Sequence, residues 1–166
     1  MSLKTFKAYT KSNRNTVIID KTGLWKGKPL KLLTSNKNKS YGRNNRGRIT
    51  SRHIGGGHKQ RYRFIDFFRK KDDIKATVER IEYDPNRTCY IMLVKYENDE
   101  KAYFLAPQKI SIGDEIISGK KKEIKIGNCM PLSDIPAGTE IHNVEIKTGG
   151  GGKIARSAGT SVQITG

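Results

Sequence analysis

The sequence predicts an all-β chain: a small antiparallel barrel or sandwich behind a long, irregular, basic front segment. Three observations predict it. From residue 62 onward, short apolar runs recur roughly every 10 residues with turn residues between them, and none carries a convincing helical period. The charge is divided: residues 1–71 hold 20 of the 33 Lys and Arg against two acids, Asp20 and Asp66, a net of +18, whereas residues 72–166 hold 13 bases and 14 acids, a net of −1. Within the front part, residues 34–63 contain nine Lys or Arg, five Gly, two His and no acid, and only Tyr41, Ile49, Ile54 and Tyr62 offer large apolar surface. Ordering one backbone residue costs about 1–2 kcal/mol, and four apolar side chains cannot offset that over such a stretch. The segment is therefore expected to owe its shape to a polyanion outside itself.

The elements follow in chain order. Val17, Ile18 and Ile19 predict a weak strand, and residues 30–33 a turn. Between them Trp25 reads as an anchor packed on a surface rather than a reader of bases. Residues 62–68, rich in aromatic and branched side chains, predict the first strand of the barrel, and residues 69–73 a polar loop. Residues 75–83 predict a second strand, closed by the turn sequence Asp84-Pro85-Asn86. Residues 89–96 predict a third, strongly apolar strand and residues 101–105 a fourth, ended by Pro107. Residues 110–117 predict a fifth, broken at Gly113-Asp114. After a basic linker at 119–125 come two prolines at Pro131 and Pro136, an alternating strand at 141–146, a four-glycine loop at 149–152 and a last strand at 160–165. This rear unit of about 45 residues is too small to bury its own core, so it either packs on the first unit or begins a larger one.

Composition narrows the function classes. The net charge is +17, the pI about 10.0 and the mean hydropathy −0.68, which points to nucleic acid or an anionic membrane surface. No run of 18 apolar residues offers a transmembrane helix, and the first 15 residues lack an apolar signal core and make a poor transit peptide, being Lys-rich and short. Cys89 and Cys129 lack paired spacing and read as small core residues in a reducing compartment. His53 and His58 are two ligands around a flexible loop, with His142 far along the chain, so no metal site is expected. Gly149 to Lys153 fails the phosphate-loop pattern, because Ile154 stands where Ser or Thr is required. No triad order is present, and Glu79, Arg80 and Glu82 read as a solvated strand face rather than an acid–base pair. No enzyme, cofactor or small-molecule substrate is expected.

The chemistry that remains is that of a polyanion-binding arm. Gly42-Arg43-Asn44-Asn45-Arg46-Gly47-Arg48 alternates bidentate phosphate donors with hinges. Arg52-His53 and His58-Lys59 flank three glycines, where imidazoles can stack on bases or meet phosphates. Arg61, Arg63 and Lys70 continue the positive face, and Lys153 and Arg156 edge the four-glycine loop where backbone can approach a phosphate.

These residues carry a resemblance. The stretch from Gly42 through Thr50, then Arg52-His53, Gly55-Gly56-Gly57-His58-Lys59, Tyr62-Arg63 and Asp66-Phe67, resembles the universal large-subunit ribosomal protein L-two family, in its bacterial and organellar branch. The match continues through Val78-Glu79-Arg80-Ile81-Glu82-Tyr83-Asp84-Pro85-Asn86-Arg87, Leu105-Ala106-Pro107, Gly127-Asn128, Ile141-His142-Asn143-Val144-Glu145 and Ala155-Arg156-Ser157-Ala158-Gly159-Thr160. The resemblance implies a basic RNA-binding extension over 1–59, a five-stranded OB-type barrel over 60–122 and an incomplete SH3-like barrel over 123–166. It implies a structural constituent of the large subunit that binds and stabilises large-subunit rRNA and supports assembly near the peptidyl-transferase region. The RNA role carries over to Arg43, Asn44, Arg46, Arg48, Arg52, His53, His58, Lys59, Arg61 and Arg63.

Because the family continues beyond the length present here, the resemblance is read as covering its N-terminal part only. A separate chain is then expected to supply the remaining strands and the C-terminal extension, beside rRNA and neighbouring ribosomal proteins as partners and with no membrane partner. The near-bacterial pattern and AT-rich flavour place the chain in a mitochondrial ribosome, organelle-encoded, with plastid and bacterial cytoplasm as alternatives. A rival reading is a free-standing OB module gripping single strands through Tyr83, Tyr90, Tyr96 and Tyr103. A third, an enzyme on phosphorylated substrates, has no motif behind it.

Overall fold

Successive side chains of a strand point to opposite faces, so the unbroken apolar run Ile91-Met92-Leu93-Val94 requires a sheet covered on both sides. The computed structural model, which describes residues 3–165, supplies one. Its strands are β1 (Leu3–Thr5), β2 (Val17–Ile19), β3 (Thr34–Asn36), β4 (Arg61–Arg63), β5 (Ala76–Glu82), β6 (Ile91–Tyr96), β7 (Lys101–Leu105), β8 (Glu115–Ile116), β9 (Glu140–Ile141), β10 (Val144–Glu145), β11 (Gly152–Ile154) and β12 (Val162–Gln163). The only regular helical pieces among the described residues are single 3₁₀ turns at Lys31–Leu33 and Leu132–Asp134. The chain is all-β, as the turn-punctuated pattern predicts.

The main sheet is antiparallel, in the order β7-β6-β5-β8. One face buries Ala76, Val78, Met92, Val94, Tyr96, Phe104, Ile110 and Ile116. The other buries Ile91, Leu93, Tyr103 and Leu105 beneath Leu30, Leu33, Ile65, Phe67 and Cys89. A bulge makes this division possible. Val78 pairs with Val94 but Arg80 with Leu93, leaving Glu79 as the extra residue. With strict alternation Arg80 and Glu82 would share the face of Ala76 and Val78. The bulge instead sends Ile81 there and turns Glu82 to the second face, where it accepts a hydrogen bond from the Tyr103 hydroxyl at 2.9 Å and pairs with Arg80 Nε at 2.7 Å. Glu82 is 3% exposed, so the expectation of a solvated strand face fails for it.

The second face is closed by the front segment. Leu30 N donates to the Tyr103 hydroxyl at 3.0 Å, Phe64 N to Leu33 O at 3.0 Å, and Trp25 N to Ile81 O at 2.8 Å. Trp25 is held by that bond and by the Arg80 guanidinium, 4.7 Å from its ring centre, which is the anchoring role. The basic front is thus tied to the sheet at both ends of its charged stretch.

The barrel expectation needs correction. Residues 62–68 do not form one strand. Arg61–Arg63 pairs with Thr34–Asn36 instead, and Ile65 makes only an isolated parallel bridge to Tyr103. The Asp66 carboxylate then accepts from Phe68 N at 2.9 Å and Arg69 N at 3.0 Å, which bends the chain away. No closed five-stranded barrel is formed among the described residues, because the strand that would close it is spent on the arm and on this turn. The strand expected at 141–146 likewise divides at Asn143, which takes φ +54°, so that β9 pairs with β12 and β10 with β11.

Candidate nucleic-acid interface

Residues 42–51 form a tight hairpin loop held by its own polar groups. Thr50 N and Ser51 N both donate to Gly42 O, at 2.7 and 3.1 Å, and the Thr50 hydroxyl joins them. Across the loop Arg43 bridges Ile49, and Asn44 N donates to Arg48 O at 3.0 Å. The Asn44 side chain closes the tip, its Oδ1 accepting from Arg46 N at 3.0 Å and Arg48 N at 2.9 Å. Gly42 has to be glycine: φ is +66°, and a Cβ there would stand 2.4 Å from Ser51 O. The backbone bonds turn inward, and Arg43, Asn44, Asn45, Arg46 and Arg48 are all exposed. Arg52, His53, His58 and Lys59 are exposed on the adjoining loop, where His53 takes φ +59°. These residues make one acid-free positive surface.

The other predicted residues divide between that surface and two joints. Arg61 is exposed and its carbonyl accepts from Asn86 Nδ2 at 2.7 Å. Arg63 is 9% exposed, with Nη1 3.7 Å from Asp84 Oδ1 and donating to Arg61 O at 3.1 Å. It stands in the joint between the arm and the β5–β6 turn rather than on the surface. Lys70 is exposed, 5.1 Å from the centre of the Phe68 ring. Lys153 and Arg156 lie nearby, because Gly152 N donates to Phe67 O at 3.0 Å and the Gly151 backbone packs on Phe68. Arg156 stacks 4.3 Å from the Phe67 ring centre while donating to Gly152 O at 3.1 Å. The rear glycine loop thereby adds its cations to the patch that begins at Lys70.

Three residues escaped the sequence reading. Asp84, with no exposed surface, receives Arg87 Nε at 2.6 Å, and the Arg87 guanidinium reaches within 6.0 Å of the Phe67 ring centre. Asp84-Pro85-Asn86 reads as a turn and nothing more; the signal for this contact is the arginine three residues after the carboxylate. Arg69 donates to Gly127 O at 2.7 Å and to the Ser118 hydroxyl at 3.1 Å, and lies 4.4 Å from the Phe104 ring centre. Burial lowers its pKa, and its guanidinium is held by the Gly127 carbonyl and the Ser118 hydroxyl. The tyrosine rival loses its platform: Tyr96 and Tyr103 are 4% and 0% exposed, Tyr90 is half-buried, and Lys21 Nζ sits 3.6 Å over the Tyr83 ring. Among the described residues no helix is long and apolar enough to cross a membrane.

An all-β body carrying a self-braced arm with nine Lys or Arg and no acid over residues 34–63 places the chain among basic β proteins with an extended cationic surface. A family described as "Ribosomal Proteins L2, RNA binding N-terminal domain" matches residues 30–118, and "Ribosomal Proteins L2, C-terminal domain" matches residues 125–166. The chain belongs to the ribosomal protein L2 family. It is 65% identical to large ribosomal subunit protein uL2 of Pelagibacter ubique over 167 residues, 100% of this chain and 59% of that protein. To the uL2 proteins of Gluconacetobacter diazotrophicus and Rickettsia prowazekii it is 61% and 63% identical, covering 60% and 61% of their lengths. The chain therefore spans about three fifths of these bacterial relatives.

Two expectations are corrected by these matches. The resemblance is not confined to the family's N-terminal part, since residues 125–166 carry C-terminal-domain sequence. No separate chain is needed to bring that domain. Its short strands pair within this chain, β12 against β9 and β11 against β10.

Proposed function

We propose that this chain is a structural, non-catalytic constituent of a bacterial-type large ribosomal subunit that binds and stabilises large-subunit rRNA and supports subunit assembly near the peptidyl-transferase region, beside neighbouring ribosomal proteins. The observation that carries this reading is the hairpin loop at 42–51, which is braced by its own backbone and the Asn44 side chain and keeps Arg43, Arg46 and Arg48 exposed. In this reading Arg43, Asn44, Asn45, Arg46, Arg48, Arg52, His53, His58, Lys59 and Arg61 meet RNA directly, Lys70, Lys153 and Arg156 form a second contact, and Arg63 positions the arm. Residues 1–59 act as the extension, 60–122 as an OB-type unit and 123–166 as the start of an SH3-like unit. Family membership and the antiparallel sheet with its bulged β5 support this division. The bacterial relatives support a bacterial-type ribosome, while the mitochondrial placement rests on composition alone.

The mechanism is electrostatic. The sheet docks, and the arm neutralises phosphates that would otherwise repel. With roughly eight phosphate contacts, the logarithm of the binding constant for deproteinised large-subunit rRNA should fall with the logarithm of salt at a slope of about −6. A filter-binding series across a fourfold salt range should then lose on the order of 10³-fold in affinity. A slope near zero removes the mechanism.

A further inference from the structure

Beside the hairpin lies a groove of about 420 Å³ that the phosphate-binding reading does not use. It is lined by Lys39, Ser40, Tyr41, Ile54, Gly55 and Gly56, with Asn38 at its edge. The walls are of unlike kinds. Tyr41 is 45% exposed and Ile54 57% exposed, so an aromatic ring and a branched aliphatic are both presented to the groove mouth. Ile54 is seated where it is because it packs against Gly42, whose added Cβ would lie 3.3 Å from Ile54 Cβ.

Gly55 and Gly56 close the groove with bare backbone: an added Cβ meets nothing within 4 Å at either. Among the described residues no group accepts from their N–H. Lys39 Nζ lies close to the third glycine, 3.6 Å from where a Gly57 Cβ would be.

Tyr41 is also the wrong residue for its backbone. It takes φ +54°, the left-handed region where a bulky side chain is disfavoured, and the neighbouring Gly42 takes φ +66°. A large aromatic kept where glycine fits more easily, in an arm short of apolar surface, calls for something that the ring touches. An acidic peptide would want several cations in the groove wall, and only Lys39 is there. An unpaired base wants what the groove offers: a π face to stack on, an apolar opposite wall, and free N–H donors toward its edge acceptors. Arg43 and Arg52, near the groove residues in sequence but not part of its lining, are exposed and available to the strand's phosphates.

We propose that this groove is a slot for one unstacked nucleobase of an RNA strand, with Tyr41 as stacking platform, Ile54 as facing wall, and the N–H groups of Gly55 and Gly56 as donors to the base edge. The proposal rests on the RNA-binding reading above and adds to it a contact that reads a base rather than a phosphate.

The test uses the full chain and three RNA probes: a short oligouridine with 2-aminopurine at its centre, the same strand with a central abasic site, and a duplex of equal length. The wild type should bind the base-bearing strand roughly 5- to 150-fold more tightly than the abasic one, the span of one base–aromatic stack. Tyr41→Phe should keep that preference. Tyr41→Gly should lose it while binding the duplex as before, and because glycine relaxes the left-handed backbone, its loss of preference cannot be put down to misfolding. A preference that survives Tyr41→Gly overturns the slot. So does an equal weakening for strand and duplex, which would mark Tyr41 as a structural residue, and so does a polyglutamate competitor that displaces the strand from the wild type but not from Tyr41→Gly. Combined replacement of Arg43, Arg46 and Arg48 by Ala separates the two levels. If it leaves strand and duplex binding unchanged, the RNA-binding reading fails. If it weakens both while Tyr41→Gly matches the wild type, only the slot fails.

Discussion

Asp84 has no exposed surface, yet three polar side chains converge on it: Arg87 Nε at 2.6 Å, Asn86 Nδ2 at 2.8 Å and Arg63 Nη1 at 3.7 Å. Asn86 then passes the connection on by donating to Arg61 O at 2.7 Å, and Gln60 Nε2 donates to Pro85 O at 3.2 Å. A chain with +17 net charge thus spends one of its 16 acids on fastening its most basic strand to the sheet. Removing one partner of a buried ionic group is costly because the other charges stay behind without compensation, about 3–5 kcal/mol. Arg63 sharpens that risk, since its Nε is buried without a partner even in the wild type. Asp84→Ala should therefore lower the urea midpoint by about 1 M or more, given a slope of roughly 1–3 kcal/mol per molar for a small protein, read from the fluorescence of the single tryptophan, Trp25. Asp99→Asn, which removes the exposed charge partner of Lys95 but keeps a side chain that tolerates the φ +63° backbone there, should leave the midpoint in place. Equal midpoints for the two variants would show that Asp84 fastens nothing.

At the scale of elements, the hairpin at 42–51 and the main sheet were legible to different degrees. Strands β5, β6 and β7 fall within a residue or two of where apolar runs and turns put them, because burial on both faces leaves a strong signal. The closing strand was misread because Tyr62, Phe64, Ile65, Phe67 and Phe68 look like one strand by composition, and nothing local says that Arg61–Arg63 will pair with Thr34–Asn36. The positive surface was legible as charge, but its bracing was not. The arm was expected to have no shape of its own, yet Asn44 supplies one by accepting two backbone N–H groups, a habit of Asn in turns. The weak point of that element is Gly42, where an added methyl would meet a backbone oxygen that no rotamer change can move. Gly42→Ala should speed hydrogen exchange at Thr50 N and Ser51 N, both bonded to Gly42 O, by roughly tenfold or more, the equivalent of about 1.4 kcal/mol. Exchange at β6 should be unchanged. Loss of protection in both places would mean that the hairpin and the sheet unfold as one unit.

Across the whole molecule the question is how the rear 40-odd residues are held, since their two-stranded pieces cannot be stable alone. They are sewn to the sheet at two places. Along one seam Cys129 N donates to Ile117 O at 3.1 Å and Gly119 N to Cys129 O at 3.0 Å, with Arg69 reaching across to Gly127 O. Along the other, Gly152 N bonds Phe67 O and Ala158 N bonds the Thr88 hydroxyl at 3.1 Å. A free thiol stands at each: Cys129 in the first, Cys89 beside Thr88 at the second. Burial pushes both thiols up from their ordinary range, so each holds less reactive thiolate at a given pH than an unfolded cysteine would. Iodoacetamide should accordingly modify both in the native chain at least about tenfold more slowly than in urea. The native rates should go on climbing with pH beyond about 9.5, a unit above the ordinary thiol pKa, where the unfolded rate has levelled off. Peptide mass mapping reports the two sites separately. If the rear segment swings free of the sheet, Cys129 will label at the unfolded rate while Cys89 stays slow, and the cations Lys153 and Arg156 would then no longer share a fixed surface with Lys70. If the seams hold, the two thiols will remain slow together until the sheet itself gives way.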